Sequence, residues 1–136
     1  MIVIDTNAVV HLLLGGERTE SARRAFRIDP EWAAPILWRS EFRSVLSMLV
    51  RRQGLQLADA IEVSREAELL LAGKEFSVES QAVLALAHES GCTAYDCEFV
   101  ALASDLRVPL VTSDREILAA FPTLAVAIDD FEVKTR

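Results

Sequence analysis

The sequence has few of the residues that support cysteine or histidine chemistry. It contains two cysteines and two histidines in 136 residues. Cys92 and Cys97 form one C-x4-C pair without a second pair or a nearby histidine, which argues against a zinc site and against a disulfide framework. His11 and His88 lie far apart in helix-like stretches. Histidine acid–base catalysis is therefore not expected.

Long apolar runs are also lacking. Asp5 interrupts the N-terminal segment, and no stretch approaches the roughly 20 apolar residues of a membrane helix. These features predict a cytoplasmic protein without a targeting segment. The hydrophobic fraction is nevertheless 51%, which predicts either an extensive core or apolar surface for a partner.

Basic residues are outnumbered, since the net charge is −7. An acidic protein is a poor general ligand for nucleic acid. However, eight arginines fall between residues 18 and 52, whereas the rest of the chain is strongly acidic. This distribution is typical of a solvated helix face, and it also suits a basic flank beside an acidic pocket.

Short β-branched runs alternate with longer helical patterns along the sequence. This alternation predicts one α/β domain over residues 1–136, with a mostly parallel sheet of about five strands. Strands are predicted at 2–4, 33–37, 109–112 and 124–128. Helices are predicted at 7–14, 19–28, 38–52, 57–71, 80–89, 95–106 and 115–121. No repeat or linker divides the chain.

Acidic residues follow several of these apolar runs. Ligands of parallel sheets bind beyond the carboxyl ends of the strands. Asp5 follows the first strand and Asp114 the strand at 109–112, while Glu41 follows the second strand and Asp96 opens a helix. Taken singly, the aspartates also suit helix starts, with Thr93 and Ser113 as possible caps.

Helical phase separates these acids from ordinary surface charges. At 100° per residue, Glu41 falls on the apolar stripe of its helix and Asp96 falls between Val100 and Ala103. Glu98 and Asp105 fall on the opposite side and are predicted to be surface acids. An inward carboxylate needs a partner, because burial of a charge is costly.

Convergence of four carboxylates would raise their pKa values unless a counterion were present. Hard divalent cations take oxygen ligands, and Mg²⁺ often uses one or two carboxylates together with water and phosphate oxygens. Two such ions about 3.5–4 Å apart can promote in-line displacement at a phosphodiester. The pattern therefore favours metal-dependent phosphodiester chemistry.

Four short motifs together resemble the PIN domain, in particular the VapC-type toxins of toxin–antitoxin pairs. The resemblance covers nearly the whole chain. Cys97 and Glu98 depart from the small or aliphatic residues that the third motif usually has. The motifs are MIVIDTNAVVHLLL (residues 1–14), Ser40-Glu41-Phe42, Thr93-Ala94-Tyr95-Asp96 followed by residues 99–102, and Thr112-Ser113-Asp114.

This resemblance implies a Rossmann-like three-layer α/β/α fold and an endoribonuclease that depends on Mg²⁺ or Mn²⁺. Water would attack the RNA phosphate. Asn7 and Thr112 match positions that support the site by hydrogen bonding. The catalytic and metal-holding residues implied are Asp5, Glu41, Asp96 and Asp114.

The resemblance also implies an antitoxin partner and a homodimer. The apolar sides of residues 9–14 and 57–71 could accept an amphipathic partner helix, although covering the sheet is the commoner role of such surfaces.

Other interpretations remain open at this point. The chain could be a non-catalytic PIN-like module that binds RNA or protein, or a housekeeping RNA-processing PIN nuclease. A phosphatase of the haloacid dehalogenase type would need a second aspartate where Asn7 stands, and a receiver domain would need a lysine after its late strand. Neither glycine-rich nucleotide-binding signature occurs.

Overall fold

A computed structural model describes residues 1–132, so the last four residues of the predicted domain lie outside the described residues. Within that range there are five strands, seven helices and a final 3₁₀ turn, and most strands are separated by one or two helices. The elements are β1 (Ile2–Ile4), α1 (Thr6–Leu14), α2 (Thr19–Ile28), β2 (Trp32–Pro35), α3 (Trp38–Gln53), α4 (Leu57–Leu70), β3 (Glu75–Phe76), α5 (Ser80–Ser90), α6 (Ala94–Leu106), β4 (Leu110–Thr112), α7 (Arg115–Ala120), β5 (Ala125–Ala127) and the 3₁₀ turn Ile128–Asp130.

The strands form one parallel sheet in the order β3-β2-β1-β4-β5. The chain runs outward from β1 to β2 and β3, then returns past β1 to form β4 and β5. The order therefore reverses between β1 and β4. In open parallel sheets, a crevice forms beyond the carboxyl ends of the strands at such a reversal.

The connections place helices on both faces of the sheet. Parallel crossovers are right-handed in nearly all proteins. The crossovers from β1 to β2 and from β2 to β3 run in one direction across the sheet and place α1–α4 on one face. The crossovers from β3 to β4 and from β4 to β5 run in the other direction and place α5–α7 on the opposite face. Helix α6 packs on β1, β2 and β4, and α5 packs against α6. The result is the predicted α/β/α arrangement.

The core is apolar and continuous through the sheet. All residues of β1, β2 and β4 are buried. Trp32, Trp38 and Phe42 are the largest fully buried side chains. No helix within residues 1–132 is both long enough and apolar enough to cross a membrane.

The strand β3 was not predicted, because two residues are too few to show a pattern. Backbone hydrogen bonds from Ala34 to Lys74 and from Ile36 to Phe76 pair it with β2. Its Glu75 accepts hydrogen bonds from Trp38 Nε1 at 2.6 Å and from Arg39. These contacts tie the edge of the sheet to α3.

The predicted helix boundaries agree with the structure to within about a residue. Gly54 ends α3 with φ +72°, a left-handed conformation that glycine adopts without strain. Helix α4 ends at Leu70, and Gly73 takes its positive φ in the following turn.

Candidate active site

A cavity of about 300 Å³ lies at the reversal of strand order and contains all four acids singled out from the sequence. Asp5 follows β1 and Asp114 follows β4, so the sheet brings them together. Glu41 comes from α3 on one face and Asp96 from α6 on the other. Helices from both faces thus contribute to the same edge of the sheet. The remaining lining residues are Thr6, Asn7, Ser44, Val45, Phe99 and Ile117.

Thr112 connects two of the acids. Its Oγ1 donates to Asp5 Oδ2 at 2.6 Å and accepts from the backbone N–H of Asp114 at 3.0 Å. The side chain is fully buried. Thr112 therefore links the Asp5 carboxylate to the backbone of Asp114.

The two aspartates that follow strands also cap helices. The backbone N–H of Ala8 donates to Asp5 Oδ1 at 2.9 Å. Asp114 Oδ1 accepts from the N–H groups of Glu116 at 2.8 Å and Ile117 at 3.1 Å. Asp114 is thus the N-cap of α7, a role the sequence had suggested for Ser113. Capping holds both carboxylates in place without removing them from the cavity.

Glu41 is held by a residue that the sequence did not single out. Thr6 is buried, and its Oγ1 donates to Glu41 Oε1 at 2.7 Å. Arg39, a neighbour of Glu41 in sequence, binds Glu75 and Glu68 instead. The only sequence signal for Thr6 was its position directly after Asp5.

Asp96 lies in the first turn of α6, where its backbone N–H donates to Thr93 Oγ1 at 3.0 Å. Thr93 is therefore the predicted helix cap. Asn7 also lines the cavity, but its side chain makes no hydrogen bond to residues 1–132. Unlike Thr112, Asn7 is exposed.

Burial and mutual repulsion disfavour the charged forms of these acids. Burial raises the pKa of Asp5, and the charge of Asp114 raises it further, while the Thr112 hydrogen bond opposes both. Burial and the charges of Asp96 and Asp5 likewise raise the pKa of Glu41. The pKa of Asp96 is raised by burial and by Asp114.

Among residues 1–132, no basic side chain lines the cavity. A cation is thus the natural counterion for its carboxylates. Within residues 1–132, however, no three acidic, histidine or cysteine side chains come close enough to surround one ion. The arrangement suits a hydrated ion held by one or two carboxylates, as Mg²⁺ usually is, rather than a closed cage of four.

Glu98 was predicted to be a surface acid, and that prediction is wrong. Its side chain is half-buried, and burial raises its pKa. Its charge also contributes to the raised pKa of Glu41. Helix α6 is enclosed by the sheet on one side and by α5 on another, so it has no single buried stripe.

The predicted basic flank is not part of this cavity. Arg43 and Arg51 lie instead in an apolar groove between α3 and α4. Other arginines of the 18–52 segment pair with acids, as Arg18 does with Asp129 and Arg23 with Glu20.

Comparison with known proteins gives consistent matches. The family model described as the PIN domain matches residues 2–122. The chain is 33% identical to Ribonuclease VapC3 from Pyrobaculum aerophilum over 128 residues, which cover 90% of this chain and 96% of the relative.

Two solved structures have the same fold. A toxin–antitoxin complex from Klebsiella pneumoniae aligns with a TM-score of 0.70 and 19% identity, over 98% of this chain and 100% of that chain. The protein PAE2754 from Pyrobaculum aerophilum aligns with a TM-score of 0.74 and 24% identity, over 94% of this chain and 90% of that chain. The chain belongs to the PIN domain family. Its relation to a VapC ribonuclease confirms the resemblance seen in the four motifs.

Proposed function

We propose that the protein is a divalent-metal-dependent endoribonuclease that acts as the toxin of a toxin–antitoxin pair. The observation that carries this proposal is the shared cavity of Asp5, Glu41, Asp96 and Asp114, in a chain 33% identical to a named ribonuclease. An RNA substrate inside the cell would place the activity in the cytoplasm.

The chain's own contribution to the reaction is to hold carboxylate oxygens in fixed positions. Thr112 and the start of α1 hold Asp5, Thr6 holds Glu41, and the start of α7 holds Asp114. Preorganised oxygens of this kind need little rearrangement when the reaction begins. A bound Mg²⁺ or Mn²⁺ would activate water and stabilise the charge of the phosphate.

The carboxylates that accept hydrogen bonds from the protein keep lone pairs free. Each carboxylate oxygen can accept more than one hydrogen bond, so Asp5 can bind an ion while it remains fixed by Thr112 and Ala8. We propose Asp5, Glu41, Asp96 and Asp114 as the catalytic and metal-holding residues, with Thr112 and Thr6 as positioning residues.

Circular RNA tests this proposal, because only an endonuclease can open it. We expect linear products in the presence of Mg²⁺ or Mn²⁺ and none with a chelator. Asp96→Asn should abolish cleavage, whereas Asp105→Asn, an exposed acid on the same helix, should cleave like the wild type. Absence of cleavage by the wild type would favour the non-catalytic binding module instead.

We further propose that the antitoxin occupies the groove between α3 and α4. Its apolar lining includes Leu57 and Ile61, which are 65% and 44% exposed. Arg43 and Arg51 flank these residues, so an amphipathic segment with acidic residues suits the groove. In contrast, residues 10–14 pack on the core, which is the commoner role for such surfaces.

A small reading frame directly upstream would identify the antitoxin candidate. Leu57→Asp should weaken its complex with the protein. Leu69→Asp is the matched control, because Leu69 is 78% exposed on the same helix but does not line the groove. Equal binding of the antitoxin by the wild type, Leu57→Asp and Leu69→Asp would exclude the groove as the docking site.

The homodimer and the extent of the domain also remain proposals. The homodimer is proposed on the resemblance to VapC-type toxins. Sedimentation equilibrium should give twice the mass of one chain. Limited proteolysis should not divide residues 1–132 into separate stable fragments, and a stable fragment cut inside that range would contradict a single domain.

A further inference from the structure

A second cavity, of about 370 Å³, opens at the same edge of the sheet. We call it the edge pocket, defined by Ile36, Phe76, Val78, Val83, Leu84 and Glu98. Its volume falls within the range of about 300–1,000 Å³ typical of small-molecule sites. It is larger than the carboxylate cavity.

The edge pocket and the carboxylate cavity are neighbours. Ile36 directly follows β2 and Phe76 ends β3, whereas the carboxylate cavity lies beyond β1 and β4. Since β2 pairs with β1, the two cavities lie beside each other along the carboxyl edge. The first turns of α6 form part of both, with Asp96 in one and Glu98 in the other.

In the part of the chain that the structure describes, Glu98 is the one charged group that lines the edge pocket. It forms no hydrogen bond or ion pair with any of residues 1–132, although it is half-buried. A half-buried carboxylate is stabilised by a donor. The rest of the lining is apolar apart from the hydroxyls of Ser77 and Ser80.

These properties select a particular part of an RNA chain. A carboxylate repels phosphate groups, so the backbone of the RNA is excluded from contact with Glu98. A nucleobase has apolar faces and an edge with N–H donors, and single-stranded RNA is recognised by the unstacked bases it exposes. Among the four bases, guanine offers two adjacent donors, N1–H and N2–H, that match the two oxygens of a carboxylate.

We propose that the edge pocket binds a guanine base of the RNA, close to the cleaved phosphate, and that Glu98 accepts hydrogen bonds from its N1–H and N2–H groups. This inference rests on the proposed ribonuclease function and adds a base preference to it. Leu84, which is 64% exposed on α5, and Ile36, 52% exposed, provide apolar contacts at the pocket mouth.

The test uses single-stranded RNAs of random sequence, with sequencing of the new ends. The wild type should enrich guanosine at one fixed position near the cut by at least about fivefold, the lower end of what a bidentate contact to a base provides. Replacing that guanosine by inosine, which lacks the N2 amino group, should lower kcat/KM. Replacement by 7-deazaguanosine, which keeps both donors, should not.

Glu98→Gln should abolish the difference between guanosine and inosine, because an amide presents one donor and one acceptor in place of two acceptors. Asp105→Asn, on the exposed side of the same helix, should keep the wild-type preference. Cleavage without guanosine enrichment, or enrichment unchanged in Glu98→Gln, would overturn the inference. So would a Glu98→Gln protein whose only defect is weaker binding of a protein partner.

A failure of the edge-pocket inference can be distinguished from a failure of the proposed ribonuclease function. If the wild type cleaves no RNA, binding of labelled oligonucleotides in Ca²⁺ measures the same preference without catalysis. Equal affinity for guanosine-containing and inosine-containing RNA would then overturn the edge-pocket assignment by itself.

Discussion

Replacing Thr112 by valine removes one hydroxyl and leaves the shape of the side chain nearly unchanged. The hydroxyl donates to Asp5 Oδ2 and accepts from the N–H of Asp114. A hydrogen bond to a charged group contributes about 1.5–3 kcal/mol and a neutral one about 0.5–1.5 kcal/mol. Thr112→Val should therefore lower the free energy of unfolding by about 2–4 kcal/mol, which lowers Tm by roughly 10 °C in a domain of this size.

The same substitution should weaken the site. Replacing a residue that orients a metal ligand typically lowers metal affinity or activity by about 10–100-fold. We therefore expect losses of this size in Mn²⁺ affinity and in kcat. Calorimetric titration and thermal unfolding measure the two effects. Thr112→Ser is the control, since it keeps the hydroxyl and loses a methyl group, at a cost of about 1 kcal/mol. Equal Mn²⁺ affinity and cleavage in the valine and serine variants would refute the positioning role.

The remaining predictions concern pH and packing. Without metal, the raised pKa values of Asp5, Glu41 and Asp96 mean that these groups bind more protons in the folded state. Their contribution to the free energy of unfolding is present at acid pH and is lost as pH rises through the folded pKa values. Because Mn²⁺ binds the deprotonated carboxylates, it should raise Tm more at pH 8 than at pH 5. An equal rise at both pH values would contradict this expectation. Glu75 acts in the opposite direction, because Arg39 lowers its pKa below the usual 4.5. Its contribution is lost as pH falls through the folded pKa, so Glu75→Gln should weaken the dependence of Tm on pH below pH 4.5. An unchanged slope there would count against the ion pair. Trp38→Phe removes the bond to the Glu75 carboxylate and leaves a cavity in the core, so it should lower the free energy of unfolding by about 3–5 kcal/mol. It should leave cleavage by the folded protein intact; loss of cleavage would show that α3 transmits the change to Glu41.

Strand ends and helical phase together predicted where the acids would meet. Asp5 and Asp114 follow buried strands, and the sheet order places those strands side by side. Sequence patterns do not give strand order, so the reversal between β1 and β4 came only from the structure. Glu41 was found because α3 buries a single apolar stripe, which contains Trp38, Phe42 and Leu46.

The same argument failed for Glu98 because α6 is buried on more than one side. Helical phase assumes one buried face, and this helix lies between the sheet and α5. Thr6 was missed for a different reason. Its contact with Glu41 joins positions 35 residues apart, and no local pattern predicts such a pair. The two-residue β3 was too short to be recognised, although it forms part of the edge pocket.

The central claim is that the cavity lined by Asp5, Glu41, Asp96 and Asp114 holds the divalent ion that RNA cleavage requires. Electron paramagnetic resonance titration of Mn²⁺, run beside RNA cleavage at the same Mn²⁺ concentrations, tests it most directly. The wild type and Asp105→Asn should bind Mn²⁺ and cleave equally, whereas Asp5→Asn and Asp96→Asn should lose Mn²⁺ affinity and cleavage together. Cleavage that persists in these two variants, or in the presence of a chelator, would contradict the claim.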